Sequence, residues 1–128
     1  MSTTVGDRMA RELATIARDA TLREAAEHMV ERRVGSLLVF ESERLVGIVT
    51  ERDVLKAVAS GSVGARVAEL MTRNPETIEP SDSLEHAAVL MLHGGFRHLP
   101  VAEGEQVVGI LSMRDLMSVV AGEAPRGV

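Results

Sequence analysis

Two β-α-β-β-α repeats packed about a pseudo-two-fold axis, with helices flanking small mixed sheets in an α/β (α+β) arrangement, are the fold this sequence predicts. Three observations lead there. The chain repeats itself at an offset of 62 residues: no gap is needed from Val5/Val67 to Ala59/Ala121, and 20 of those 55 pairs are identical. Each copy also passes through the same succession of extended and helical periodicities. Finally, a unit of this length is too short to bury a core of its own, so the copies should pack against each other and leave a seam suited to a ligand. The first repeat is placed at 5–60 and the second at 67–121, with a linker at 61–66. The tail at 122–128 holds Pro125 and Gly127, lacks a packing pattern, and is expected to be mobile.

Within the first repeat, Thr15-Ile16-Ala17 reads as a short extended piece. Thr21-Leu22-Arg23-Glu24 then has the form of a capping box opening a helix. Leu22, Ala25, Ala26, Met29 and Val30 follow helical spacing, as do Leu84, Ala87, Ala88, Met91 and Leu92 in the second repeat, which predicts one buried stripe per helix. Leu37 to Phe40 and Leu45 to Val49 are apolar runs around Glu41-Ser42-Glu43-Arg44, a hairpin with a four-residue turn. The counterpart runs from Leu99 to Leu111 around Glu103-Gly104-Glu105-Gln106. The near-continuous apolar runs predict strands covered on both faces, and Pro100 predicts a place where its missing N–H is not needed. Second helices are expected at about Arg52 to Ala59 and Arg114 to Val120. Gly61-Ser62-Val63-Gly64 interrupts the chain before Val67 begins the second copy.

Composition excludes several classes of function. The chain has no cysteine, which removes disulfides and thiolate chemistry and suits a reducing compartment. A net charge of −5 and only two aromatic residues, Phe40 and Phe96, argue against nucleic acid. Neither a long apolar run nor a signal-peptide pattern is present, so a cytoplasmic protein without membrane contact is expected. His86 and His93 stand about 10 Å apart along a helix, and no three or four metal ligands converge. No nucleophile–base constellation is visible either, so no catalytic residue is assigned and the protein is read as a non-enzyme.

Most of the chemistry lies in Gly47-Ile48-Val49-Thr50-Glu51-Arg52-Asp53 and its twin Gly109-Ile110-Leu111-Ser112-Met113-Arg114-Asp115. A hydroxyl at a strand end and a carboxylate three residues on stand together beside a helix N-terminus. The Asp can accept from both hydroxyls of a ribose, while the Thr or Ser hydroxyl and the free helix amides can meet a phosphate. The same spacing describes a helix cap with an acidic partner at its positive end. Mid-strand Gly47 and Gly109 mark either a close approach or a bulge.

With Val-Gly-Ile-Val-Thr-Glu-Arg-Asp closing one half and Val-Gly-Ile-Leu-Ser-Met-Arg-Asp the other, the chain resembles a tandem pair of cystathionine-β-synthase (CBS) domains, a Bateman module. The resemblance spans about residues 5 to 121 and includes Val67-Ala68-Glu69-Leu70-Met71-Thr72 and Arg97-His98-Leu99-Pro100-Val101. It implies binding of AMP, ADP, ATP, S-adenosylmethionine or NADH in clefts between the repeats. Ribose and phosphate would fall to Thr50, Asp53, Ser112 and Asp115, further phosphate contacts to Arg97, His98 and Arg114, and adenine to Ile16, Ala17, Ile78 and Glu79. It also implies a disk-like homodimer paired through helices, and no obligatory cofactor, Mg2+ being compatible with bound ATP.

At the offset of 62, Arg97 and His98 face Gly35 and Ser36, and Arg32 and Arg33 face Gly94 and Gly95, so the two clefts should differ in phosphate affinity. Arg32 and Arg33 also suit a helix C-terminus. Two readings follow. One is a regulatory sensor of adenosyl ligands acting in trans on a partner protein. The other is a ligand-free structural or dimerisation module in which Asp53 and Asp115 only cap helices.

Overall fold

The structure is a computed structural model that describes residues 3–124; Met1-Ser2 and residues 125–128 of the tail lie outside the described residues. The elements run α1 (Val5–Arg8), β1 (Thr15–Ile16), α2 (Leu22–Arg32), β2 (Ser36–Glu41), β3 (Arg44–Thr50), α3 (Glu51–Ala59), α4 (Val67–Leu70), β4 (Thr72–Arg73), α5 (Leu84–Gly94), β5 (His98–Glu103), β6 (Gln106–Ser112) and α6 (Met113–Val120). The mixed α+β repeat is as expected, with a short helix, α1 or α4, added at the start of each copy. None of the helices among the described residues is long and apolar enough to cross a membrane.

The chain folds into two compact units that do not coincide with the sequence repeats. One unit is Ala14–Pro75; the other joins the chain up to Leu13 to the chain from Glu76 onward. Each hairpin is therefore packed by the short helix that opens the other repeat, α4 in the Ala14–Pro75 unit and α1 in the other. In the Ala14–Pro75 unit the sheet order is β1-β2-β3-β4, with β1 parallel to β2 and the other pairs antiparallel. In the other unit β5 and β6 form the hairpin, and isolated bridges Ile78↔Val101 (parallel) and Ala10↔Ile110 (antiparallel) occupy the places of β1 and β4.

Seven positions of the two cores correspond. Val67, Met71, Ala25, Met29, Leu37, Val39 and Val49 fill one, and their counterparts Val5, Met9, Ala87, Met91, Leu99, Val101 and Leu111 fill the other. Gly47 and Gly109 are explained by this packing. A Cβ on Gly47 would collide with the Met71 sulfur, and one on Gly109 with that of Met9 and, at 2.9 Å, with the Ala10 carbonyl oxygen. The close approach is thus made by a methionine of the incoming segment. A register shift between Val39 and Phe40, repeated between Val101 and Ala102, adds a bulge beside each glycine.

Helix α2 opens on the expected capping box: the Thr21 hydroxyl accepts from the Glu24 amide and the Glu24 carboxylate from the Thr21 amide, both at 3.0 Å. Those bonds hold the Glu24 carboxyl below its ordinary pKa, as the Thr4 bonds do for Asp7 at α1. The buried stripe is narrower than the spacing predicts. Leu22, Ala25 and Met29 are buried, as are Leu84, Ala87 and Met91, but Val30 and Leu92 are each 78% exposed. Eight residues past the stripe's first member, a helix of 3.6 residues per turn has rotated about 80° away from it.

The hairpin turns tighten to two residues, because Glu41 pairs with Arg44 and Glu103 with Gln106. Ser42 and Gly104, at φ 59° and 64°, supply the left-handed first position that lets such a turn follow the strand twist. Pro100 lies buried in β5, where its carbonyl accepts from Ile78 N at 3.1 Å. Its counterpart Leu38 donates its N–H to Ala14 O at 2.9 Å. Proline cannot make that bond, so the parallel pairing shrinks from the two residues of β1 to a single bridge. At the start of the tail Glu123 is exposed, its amide donating to Ser118 O at 2.8 Å and its carbonyl accepting from Arg8 at 2.6 Å.

Candidate ligand-binding mouths at the starts of α3 and α6

The β3–α3 junction is built by its own sequence. Thr50 ends the strand in extended conformation and caps the helix: its Oγ1 accepts from Asp53 N at 3.3 Å. Asp53 reaches back, its Oδ2 accepting from Thr50 N at 2.8 Å and Thr50 Oγ1 at 3.0 Å. The β6–α6 junction repeats this, Asp115 Oδ2 accepting from Ser112 N at 2.7 Å and Ser112 Oγ at 3.0 Å. The capping geometry is therefore present in both copies. It does not exhaust the carboxylate at Asp53, since both bonds fall on Oδ2 and among the described residues none reaches Oδ1. An ionised carboxylate has about four lone-pair positions, so one oxygen can cap while the other accepts from a diol.

The helix amides are less available than the spacing predicts. Glu51 N donates to Gly35 O at 3.0 Å and Met113 N to Arg97 O at 2.8 Å, while Asp53 N and Asp115 N go to the capping hydroxyls. Of the first three amides of each helix, those of Arg52 and Arg114 are left to meet an anion.

The copies differ in cover. Thr50 and Asp53 are half-buried, whereas Ser112 is 7% and Asp115 1% exposed. Arg97 and His98 belong to the α6 mouth by backbone register, His98 lying directly across the ladder from Ser112 and Arg97 supplying the carbonyl for Met113 N. Their counterparts at the α3 mouth are Gly35, which supplies the carbonyl for Glu51 N, and Ser36, paired with Thr50. Arg52, Arg97 and Arg114 are exposed.

Arg33 caps α2 in the left-handed conformation, φ 57°, where α5 has Gly95. The four positions expected beside adenine divide: Ala17 and Glu79 are exposed, Ile16 packs partly against its own core, and Ile78 is buried with both backbone groups bonded within β5. No group of three or more His, Asp or Glu able to hold a metal occurs among the described residues.

This duplicated unit with its hydroxyl-x-x-Asp junction is that of the CBS domain, and the chain belongs to that family: the family model matches residues 5–60 and again 67–122. An uncharacterized 17.7 kDa protein of Acidianus ambivalens is 36% identical over 118 residues, covering 91% of this chain and 72% of its own. Longer relatives also match; the chain spans 34% of a 33.4 kDa protein of Thermofilum pendens. Among solved structures, the CBS domain pair of MJ0100 in complex with 5′-methylthioadenosine and S-adenosyl-L-methionine superposes with a TM-score of 0.88 at 28% identity, over 95% of this chain and 98% of that one. CBSX2 in complex with AMP superposes with a TM-score of 0.76 at 32% identity, over 93% and 96%.

Proposed function

We propose that this protein is a regulatory module that binds an adenosine-containing ligand and acts in trans on a partner. Three ligands held by its structural relatives, 5′-methylthioadenosine, S-adenosylmethionine and AMP, have the adenosine moiety in common and differ beyond the 5′ carbon. The observation that carries the reading to this chain is the divided carboxylate of Asp53, one oxygen fixed by Thr50 and the other open to a ribose diol. Thr50 and Asp53 would grip the sugar, with Ile16 and Ala17 beside the base. Ser112 and Asp115 repeat the motif under closer cover, with the exposed Arg97 and Arg114 and the half-buried His98 as the candidate phosphate contacts of that copy. An ATP ligand would bring its own Mg2+.

Calorimetry or thermal unfolding with AMP, ADP, ATP, S-adenosylmethionine and NADH tests this. A ligand at one hundred times its dissociation constant adds about 2.7 kcal/mol of stability. Weaker binding of the 2′-deoxy analogue is expected, since it lacks one of the two hydroxyls the carboxylate accepts from. The second reading, a structural module, is favoured by the complete caps at both junctions, and a panel that produces neither heat nor a shift would decide for it. Pairing with a second copy belongs to the same proposal. Val30, Leu55 and Val58 are exposed, and so are their counterparts Leu92, Met117 and Val120, so an unburied apolar set recurs at equivalent positions. Light scattering at the mass of a dimer is the expected result.

A further inference from the structure

The two mouths are copies of one motif, but what surrounds each carboxylate has diverged. At the start of α3, Asp53 reaches solvent and the neighbouring Glu51 is exposed. At the start of α6, Asp115 is 1% exposed, and Met113, which stands in the place of Glu51, packs against the core as Phe96 and Leu116 do. The capping bonds are the same in both copies, so cover is what separates them: a ribose diol at Asp115 would have to reach a carboxylate that is all but closed off from solvent, whereas Asp53 is only half-buried. Charge separates the mouths as well. Glu51, Arg52 and Asp53 leave one more carboxylate than cation; Arg97, Arg114 and Asp115 leave one more cation than carboxylate.

We propose that the Thr50–Asp53 mouth is the one that takes an adenosyl ligand, one per chain, and that Glu51 selects a 5′ substituent of little negative charge: a thioether, a sulfonium or a single phosphate. This rests on the reading that the chain binds adenosyl ligands. Glu51 and Arg52 are the exposed charged residues of the first turn beside Asp53, so a triphosphate held at this mouth would meet a carboxylate as well as a cation. Repulsion between exposed charges a few ångströms apart is modest in water and grows with each phosphate, so a discrimination of roughly tenfold is expected at low salt.

Calorimetry on the full chain with 5′-methylthioadenosine, S-adenosylmethionine and Mg2+-free ATP tests both parts. Expected are one ligand per chain, ATP the weakest of the three by roughly tenfold, and a gap that narrows in Glu51→Gln and in high salt. Amide chemical-shift changes should appear at residues 50–53 and not at 112–115, a readout that needs no variant to fold. Two ligands per chain, shifts at 112–115, or ATP binding as tightly as 5′-methylthioadenosine would overturn the assignment while leaving adenosyl binding intact. Silence from all three ligands would overturn the underlying reading and this assignment with it.

Discussion

The unit around the first hairpin and the unit around the second share most of their core positions, and differ most where strands and helices begin. Leu38 and Pro100 sit at the same place in β2 and β5, yet one donates to a parallel neighbour and the other cannot. Asp53 and Asp115 make the same capping bonds, yet one reaches solvent and the other is buried. Interior positions tolerate little change after duplication, because a volume error costs in either copy. Junctions are freer to diverge, and there the copies acquire separate properties.

Exchanging residues between the copies tests that contrast. The largest effect is expected at the carboxylates. Asp115→Ala leaves the Ser112 amide buried without its acceptor and should cost about 3 kcal/mol in urea unfolding. Asp53→Ala, where water can replace the lost oxygen, should cost about 1 kcal/mol. Equal losses would mean that the difference in cover has no energetic consequence.

The glycines come next. A Cβ on Gly109 lies 2.9 Å from the Ala10 carbonyl oxygen, a backbone atom held by its bridge to Ile110; on Gly47 the nearest backbone atom is Thr72 O at 3.2 Å, and the main obstacle is the flexible end of Met71. Gly109→Ala should therefore destabilise by about 2 kcal/mol and Gly47→Ala by about 1 kcal/mol. The reverse order would show that the methionine, rather than the incoming strand, is the rigid partner.

These same residues show how far the sequence can be read. Helix, hairpin and second helix are visible twice over because their periodicities are local. The composition of the folded units is not, because repeats that align without a gap suggest contiguous units, while the pairing of β4 with β3 and of Ala10 with Ile110 is long-range. A signal was present: methionines recur at Met9 and Met71 and mid-strand glycines at Gly47 and Gly109, a bulky and an absent side chain that complement each other across the repeats. The turn length was hidden at Ser42, a residue that rarely adopts positive φ, although Gly104 marks the same position openly. At the junctions, spacing revealed the hydroxyl and the carboxylate but could not separate cap from clasp, because the distinction lies in which carboxylate oxygen is used.

A smaller effect is expected at the helix C-termini. Arg33 and Gly95 occupy the same left-handed cap, which costs a residue with a Cβ and suits glycine. Arg33→Gly should stabilise by about 0.5 kcal/mol, less than the full relief of strain because glycine also gains freedom in the unfolded chain. Gly95→Arg should destabilise by about 1 kcal/mol.

The smallest effect, and the one that depends on pH, concerns the N-termini of α2 and α5. At the third helical position α2 has Glu24, whose carboxylate accepts from Thr21 N, while α5 has His86, whose amide donates to Ser83 Oγ. The bonds to Thr21 lower the Glu24 pKa in the folded state. Its contribution is therefore complete above the ordinary glutamate value and is lost as pH falls through the lower folded value. His86→Glu should give α5 the reciprocal box and raise the unfolding midpoint at neutral pH, a gain that fades below about pH 4 as the new carboxylate protonates. Glu24→His should do the opposite at neutral pH, and in mild acid it adds an imidazolium at the positive end of α2, which deepens the loss. Relative to the parent, the His86→Glu midpoint should thus lie higher at neutral pH and return toward it below about pH 4, while that of Glu24→His lies lower at neutral pH and falls further in mild acid. A difference independent of pH would mean that residue size at this position, not the carboxylate bond, distinguishes the two helix starts.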